Sequence, residues 1–237
     1  MPAFFYQGEL LEGKSIYLSE EESLHCTKVL RLQKQNYVEV LNGQGAVYRG
    51  VISGDGKKKV CVDLLNELSG TNSKRDYYLH VAIAPTKNTD RIEWFVEKAV
   101  EIGIDQISFF HSIHSERKKI RTDRCIKRAI SALKQSKNPI LPKINELVSF
   151  GEVIENVKET QKFLAFEKSE TSESLLKSLQ KKSSYFVIVG PEGGFHETEI
   201  NLAKEQDFVL ASLANFTLRT ETAGISICSM VNALHLL

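Results

Sequence analysis

The residues whose types and spacing could form a small-molecule site lie between Tyr185 and Ala223. Tyr185-Phe186-Val187-Ile188-Val189 is an aromatic and β-branched run, the composition of a buried strand. Gly190-Pro191-Glu192-Gly193-Gly194 stops it, and the glycines leave backbone amides uncovered and permit positive φ. Glu197 and Glu199 follow in the first turn of a helix, where the dipole favours acids. Strand, glycine loop and helix together can hold a ligand at the C-terminal edge of a sheet. Three familiar uses of such a loop are excluded. No Gly-Lys-Ser/Thr follows, the G-x-G-x-x-G spacing is absent, and there is no G-x-S-x-G elbow. Taken alone, the loop is equally a tight turn with no ligand.

The second half of the stretch is more specific. Phe208-Val209-Leu210-Ala211 reads as another buried strand, Ser212–Phe216 as a loop, and Leu218-Arg219-Thr220-Glu221-Thr222-Ala223 as the entry to an apolar helix running to Leu237. The pair G-P-E-G-G-F and L-R-T-E-T-A resembles the RsmE family of ribosomal RNA methyltransferases, within the SPOUT superfamily. Three further segments carry the likeness: His25-Cys26-Thr27-Lys28-Val29-Leu30-Arg31-Leu32, Glu93-Trp94 through Gly103, and His114-Ser115-Glu116-Arg117. Lys134-Gln135-Ser136-Lys137-Asn138 matches its family counterpart only in part. The chain also departs at Leu213-Ala214-Asn215-Phe216, where the family has L-G-x-R, and at His196, where a serine is usual and histidine is a poorer helix cap.

The resemblance implies an enzyme that moves the methyl group of S-adenosylmethionine to N3 of a uridine in small-subunit (16S) ribosomal RNA. It implies an α/β fold: a C-terminal SPOUT domain with a trefoil knot around a parallel sheet, behind a small PUA-like β-barrel that grips RNA. It places the cofactor on Gly190, Pro191, Glu192, Gly193, Gly194 and Phe195, and on Leu210, Ala211, Leu213, Leu218, Thr222 and Ala223. Attack by N3 requires loss of its proton and stabilisation of charge on the uracil oxygens. Arg219 is the first residue for that stabilisation and Lys87 the second; Glu192 and Glu221 are the acid–base residues. Arg219 and Glu221 could instead form a structural ion pair. The nearest rivals are a relative acting on another RNA or position, an inactive RNA-binding protein of the same fold, and a small-molecule regulator without RNA.

The elements that must position these residues follow from pattern. From Tyr77 onward strands and helices alternate: Tyr77–Ala84, a helix from Asp90 to Gly103, and Gln106–Phe110, which argues for a parallel sheet. Residues 143–184 hold a strand at Lys162–Phe166, a polar loop at 169–174 and a helix at about Ser172–Gln180, with no chemistry assigned. Residues 1–70 read as a β-rich module with strands at Ser15–Leu18, Tyr37–Leu41, Ala46–Ile52 and Lys59–Leu64. One helix interrupts it, Glu20–Leu32, capped by Ser19 with Glu22 completing a capping box. Residues 66–76 read as a linker, so the expected domains are 1–70 and 71–237.

Charge is local. The net charge is only +1, yet residues 111–137 carry nine Lys and Arg against two acids. Arg117, Lys118, Arg121 and Arg124 there, with Lys28 and Arg31 near the N-terminus, are the expected RNA contacts. Four dispersed cysteines without C-x-x-C and six histidines without ligand spacing argue against a metal site and fit a reducing cytoplasm. No signal peptide or membrane span is expected. The small-residue apolar run Gly224–Leu234 exceeds what one helix face needs, so a homodimer is expected, acting on ribosomal RNA or the 30S subunit.

Overall fold

A computed structural model describes residues 1–55, 59–68, 75–155, 157–167 and 172–237. The chain divides into two units: Met1–Lys74 with Ile130–Leu141, and Arg75–Ala129 with Pro142–Leu237. The division is discontinuous, because residues 130–141 fold with the N-terminal unit rather than with the sequence around them.

The N-terminal unit is a five-stranded sheet in the order β1-β3-β4-β5-β2, formed by β1 (Ala3–Phe5), β2 (Ser15–Tyr17), β3 (Tyr37–Leu41), β4 (Val47–Asp55) and β5 (Val60–Glu67). Phe4, Leu18, Val38, Val40, Val62 and Leu64 are fully or almost fully buried and form its core with Cys26. β1 was not anticipated; three residues are too few to show a period. The helix is shorter than expected. α1 spans Glu20–Leu24, then His25–Val29 widens into a π-turn in which the Leu30 N–H reaches the His25 carbonyl, and Arg31 ends it at φ 53°. Ser19 caps it as expected, accepting from the Glu22 N–H at 3.1 Å. Glu22 spends its own carboxylate on Lys134, and Glu39 on Lys137 at 3.0 Å. β5 runs to Glu67, into the stretch 66–76 read as a linker, of which residues 69–74 lie outside the described residues.

The C-terminal unit is a seven-stranded sheet in the order β10-β12-β9-β11-β6-β7-β8, with every pairing parallel. Its strands are β6 (Tyr78–Ile83), β7 (Gln106–His111), β8 (Lys143–Ser149), β9 (Gln161–Ala165), β10 (Glu173–Ser174), β11 (Ser184–Val189) and β12 (Val209–Ser212). Parallel strands need crossovers, and α2 (Thr89–Ile102), α3 (Thr122–Ser136), α4 (Phe150–Glu155), α5 (Leu175–Ser178), α6 (Glu197–Glu205) and α7 (Thr220–Leu236) punctuate the chain. Residues 143–184 therefore hold three strands rather than one, and the helix expected at Ser172–Gln180 is a single turn. Half of the polar loop read at 169–174, residues 169–171, lies outside the described residues.

α2 begins at Asn88, whose side chain accepts from the Asp90 N–H at 2.9 Å, and ends at Gly103, whose φ of 115° glycine adopts without strain. α7 packs on α2, β6 and β11. A Cβ on Gly224 would sit 2.5 Å from the Phe95 ring, so the glycine lets the two helices approach. Ala223, Ile227, Cys228 and Val231 are buried beside it. Much of the small-residue run of α7 is thus used inside the chain. Among the described residues no helix is long and apolar enough to cross a membrane.

Candidate active site

Parallel strands put all their C-terminal ends at one edge, and the loops leaving that edge build the site. β11 ends at Val189 and delivers Gly190–Phe195; β12 ends at Ser212 and delivers Leu213–Arg219; β9 ends at Ala165 and delivers Phe166 and Glu167. These three segments, closed by Thr220 and Ala223 of α7, line a cleft of about 660 Å³.

Hydrogen bonds hold the loops in register. The Thr220 hydroxyl donates to the Gly190 carbonyl at 3.0 Å, joining the first loop to the start of α7. The Gly194 N–H donates to the Pro191 carbonyl at 2.9 Å and closes a turn that leaves Gly194 at φ 69°. His114 Nδ1 donates to the Gly193 carbonyl at 3.1 Å, and a Cβ on Gly193 would lie 3.1 Å from the His114 Cβ. The Thr217 hydroxyl donates to Glu167 Oε1 at 3.0 Å across the cleft.

α6 anchors the glycine loop from behind. His196 is a working cap: its Nδ1 accepts from the Thr198 N–H at 3.3 Å, while Glu199 Oε2 accepts from the His196 N–H at 2.9 Å. The expectation of a poor cap fails because an imidazole nitrogen offers the same lone pair as a serine oxygen. Glu199 is buried and also accepts from the Ser112 hydroxyl at 2.8 Å and the Ile113 N–H at 3.0 Å. It ties α6 to the loop leaving β7, a role its place in a first turn did not reveal.

Of the residues assigned from sequence, Gly190, Pro191, Glu192, Gly193, Gly194, Phe195, Leu213, Leu218, Arg219 and Ala223 line the cleft. Leu210 and Ala211 do not; they are buried within β12. Thr222 is exposed on α7, outside the lining. Glu221 is buried away from the cleft, with Arg91 Nε at 3.7 Å from one oxygen and no partner on the other. The alternative Arg219–Glu221 ion pair does not form. Among the described residues no hydrogen bond or ion pair engages the Arg219 guanidinium, which is exposed in the cleft.

Lys87 also lies outside the lining. Its Nζ pairs with Glu116 at 3.1 Å and is largely in solvent. Its backbone is the useful part: the N–H donates to Glu192 Oε1 at 3.2 Å, and the carbonyl accepts from Arg117 Nη2 at 2.7 Å. Sequence reading did not assign Ala165, Phe166, Glu167, Val189, Ala214, Asn215, Phe216, Thr217 and Thr220 to the site, and all line it.

The basic run is largely partnered. Arg117 is bound to Lys87, Arg121 faces Asp123 at 2.9 Å, Arg124 and Arg128 face Glu93 at 3.7 and 3.5 Å, and Lys134 and Lys137 hold Glu22 and Glu39. Lys118, Lys119 and Lys127 are exposed, as are Lys28 and Arg31 in the N-terminal unit. Burial pushes the Cys228 thiol up to about 12, and burial with nearby Glu93 does the same to Cys125, so neither is a nucleophile.

A family model described as an RNA methyltransferase domain matches residues 73–232, and one described as an RNA methyltransferase PUA domain matches residues 18–65. The chain belongs to this RNA methyltransferase family. Ribosomal RNA small subunit methyltransferase E of Aquifex aeolicus is 29% identical over 234 residues, covering 96% of this chain and 97% of that protein. The protein of the same name from Bacillus subtilis is 26% identical over 238 residues, covering 94% and 92%. Among solved structures, a protein of Porphyromonas gingivalis assigned as an rRNA-methyltransferase superposes with a TM-score of 0.88 at 30% identity, covering 100% of this chain and 99% of that one. A protein of Legionella pneumophila assigned as a methyltransferase and solved with S-adenosylmethionine bound superposes with a TM-score of 0.88 at 25% identity, covering 98% of this chain and 97% of that one. The fold is accordingly the SPOUT-type α/β methyltransferase fold with an N-terminal PUA domain.

The cleft suits S-adenosylmethionine, a ligand of both charge signs. Carboxylates of Glu167 and Glu192 and the guanidinium of Arg219 share a lining whose floor is apolar, from Val189, Phe166, Leu218 and Ala223. Gly194 lines the cleft, and a Cβ there would meet nothing within 4 Å.

Proposed function

We propose that this methyltransferase transfers the methyl group of S-adenosylmethionine to N3 of a uridine in 16S ribosomal RNA. The observation that carries the reading is the Arg219 guanidinium, which no described residue engages by a hydrogen bond or ion pair, exposed in a cleft between two loops at the C-terminal edge of a parallel sheet. The relatives named ribosomal RNA small subunit methyltransferase E support the substrate.

The backbone of Gly190–Phe195 and Leu213–Leu218 would hold the cofactor, with Ala223 and Phe166 against its apolar parts. When bound, the cofactor supplies a methyl group on a sulfonium, which leaves as a thioether once N3 takes the methyl. Arg219 directs two N–H donors at an oxygen of the uracil as N3 gives up its proton. Among the described residues no carboxylate neutralises Arg219, so its charge is available in the transition state. Glu192 is the lining carboxylate that can take the proton, and the Lys87 N–H and Arg117 fix the loop it rests on. Glu221 and the Lys87 ammonium act outside the cleft, as supports.

α7 follows β12, the strand next to the β10 edge, and returns across the sheet to α2, β6 and β11, which supports the threaded C-terminus that the resemblance implies. Exposed Lys28 and Arg31 in the N-terminal unit, with Lys118 and Lys119, supply phosphate contacts. The protein acts as a cytoplasmic homodimer; Trp94 of α2, 44% exposed, offers an apolar side chain for such pairing. Light scattering reading a monomer mass at micromolar concentration would refute the dimer.

The reaction is tested with purified protein, methyl-labelled S-adenosylmethionine, and 16S RNA or 30S subunits from a strain lacking the gene. Label should map to one uridine at N3. Label on a ribose, on another base or on transfer RNA alone would replace this reading.

A further inference from the structure

Phe216 stands in the loop between β12 and α7 and lines the cleft, yet its side chain is 85% exposed. Among the described residues only the terminal Leu237, at 95%, shows more of a large apolar side chain. The apolar floor of the cleft is complete without it: Val189 and Ala223 are buried, and Phe166 and Leu218 are half-buried. A phenylalanine held in water forfeits the free energy that burial would return, and here the fold takes nothing from it. The gain is realised only when a flat partner arrives from solvent.

The partner's chemistry follows from the lip of the cleft. Phe216 precedes the unengaged Arg219 by three residues, and both line the same space. A pyrimidine drawn out of its stack must recover stacking elsewhere, and an aromatic face supplies it without using the base edge. Stacking consumes the face of a uracil and leaves its in-plane N3 and carbonyl oxygens free, N3 for the methyl and an oxygen for Arg219. An arginine at position 216, as the resembling family has, would offer a second cation; this chain offers a ring. We propose that Phe216 is the platform on which the incoming uracil of the RNA stacks, presenting its edge to Arg219. The inference rests on the RNA methyltransfer reading above and adds the residue that captures the base.

The test uses the full-length protein and compares wild type with Phe216→Ala, Phe216→Leu and Phe216→Trp. Methyl transfer gives kcat and KM for 16S RNA, titration gives the Kd for the same RNA directly, and calorimetry gives the Kd for S-adenosylmethionine. Phe216→Ala should raise the RNA KM and Kd by roughly ten- to hundredfold, the loss of one stacked base. Phe216→Leu should do nearly the same, since it keeps apolar bulk and loses the π-face, while Phe216→Trp should bind as wild type. S-adenosylmethionine affinity and melting temperature should not move. Leucine working as well as phenylalanine would overturn the proposal. So would a cofactor affinity that falls in step, which would give the ring to the adenine, or a change in oligomeric mass, which would give it to a second copy. If wild type transfers no methyl to the RNA, the functional reading fails, and the direct RNA affinities still decide the role of Phe216.

Discussion

Two arginines on the same edge of the same sheet are used in opposite ways. Arg117, in the loop after β7, points Nε and Nη2 at the Lys87 carbonyl, at 3.2 and 2.7 Å. Arg219, in the loop after β12, is exposed in the cleft, and no hydrogen bond or ion pair among the described residues engages its guanidinium. The contrast extends to their surroundings. The stretch around Arg117 has the large formal charge, but Asp123, Glu93, Glu97, Glu22 and Glu39 take up most of it. The loop around Arg219 has little formal charge, and its one cation is unspent. A count of charges in sequence measures supply; function depends on what remains after the fold has drawn on it.

The sharpest way to break the contrast is Arg219→Ala. Removing one preorganised donor costs about 10²–10³ in rate, so single-turnover methyl transfer should fall by that order. Cofactor affinity and melting temperature should hold, because among the described residues no hydrogen bond or ion pair of the guanidinium is lost. Lysine should rescue in part, keeping the charge and losing the fork. A rate restored by saturating S-adenosylmethionine would show instead that Arg219 shapes the cofactor loop.

The other side of the contrast predicts unequal effects within the basic run. Replacing Lys118, Lys119 and Lys127 by alanine should lower the slope of log K against log salt by roughly 0.7–0.9 for each that touches a phosphate. Arg124→Ala and Arg128→Ala should change that slope much less, because their charge is already balanced by Glu93 and Glu97. Equal slopes for the two sets would mean that the pairs open on RNA and that the whole run is available.

What was legible in the sequence divides along the same line. The two loops of the cleft were visible because each is a local motif: a strand, glycines and a helix start written in consecutive residues. The third wall, Ala165–Glu167, was not, because its membership depends on β9 lying between β11 and β12, which no local pattern records. β8 was missed because it pairs on one side only and its side chains are half-exposed without alternation. The ion pairs of the basic run join residues up to 112 positions apart, as Lys134 and Glu22 are. Glu221 could have been placed better. It shares helical spacing with Gly224, Cys228 and Val231, so the pattern already set it on the buried face of α7.

The buried thiols mark the packed faces behind both regions, Cys125 in α3 and Cys228 in α7. Both are pushed to about 12, which favours the neutral thiol in the folded chain. The sign follows: their contribution is fully present below the ordinary thiol pKa and is lost as pH rises from there toward 12. For Cys228 the slope is at most about 1.4 kcal/mol per pH unit. Urea midpoints should therefore fall between pH 9 and 11. Iodoacetamide at pH 8 should modify half-buried Cys61 well before either. Early modification of Cys228 would mean that α7 lifts from α2 in solution.

The smallest expected effect on folding separates backbone from side chain in the cleft. Gly194 sits at φ 69°, and an added Cβ would meet no atom within 4 Å. Gly194→Ala therefore carries no clash, only the conformational penalty of a left-handed residue, on the order of 1 kcal/mol. The melting temperature should fall by a few degrees, as about 1 kcal/mol does in a chain of this size. Cofactor affinity should fall much further, because the methyl group would occupy the open side of the turn where the ligand is proposed to lie. Gly190→Ala makes the contrast: its Cβ would come within 2.9 Å of the Phe195 ring, so it should cost stability first and affinity only as a consequence. The readout is the ratio of the change in S-adenosylmethionine affinity to the change in stability for the two variants. A high ratio at Gly194 and a low one at Gly190 places the ligand against the Gly194 turn. Equal ratios would put the cofactor against the Leu213–Leu218 loop alone and leave the glycine turn a purely structural device.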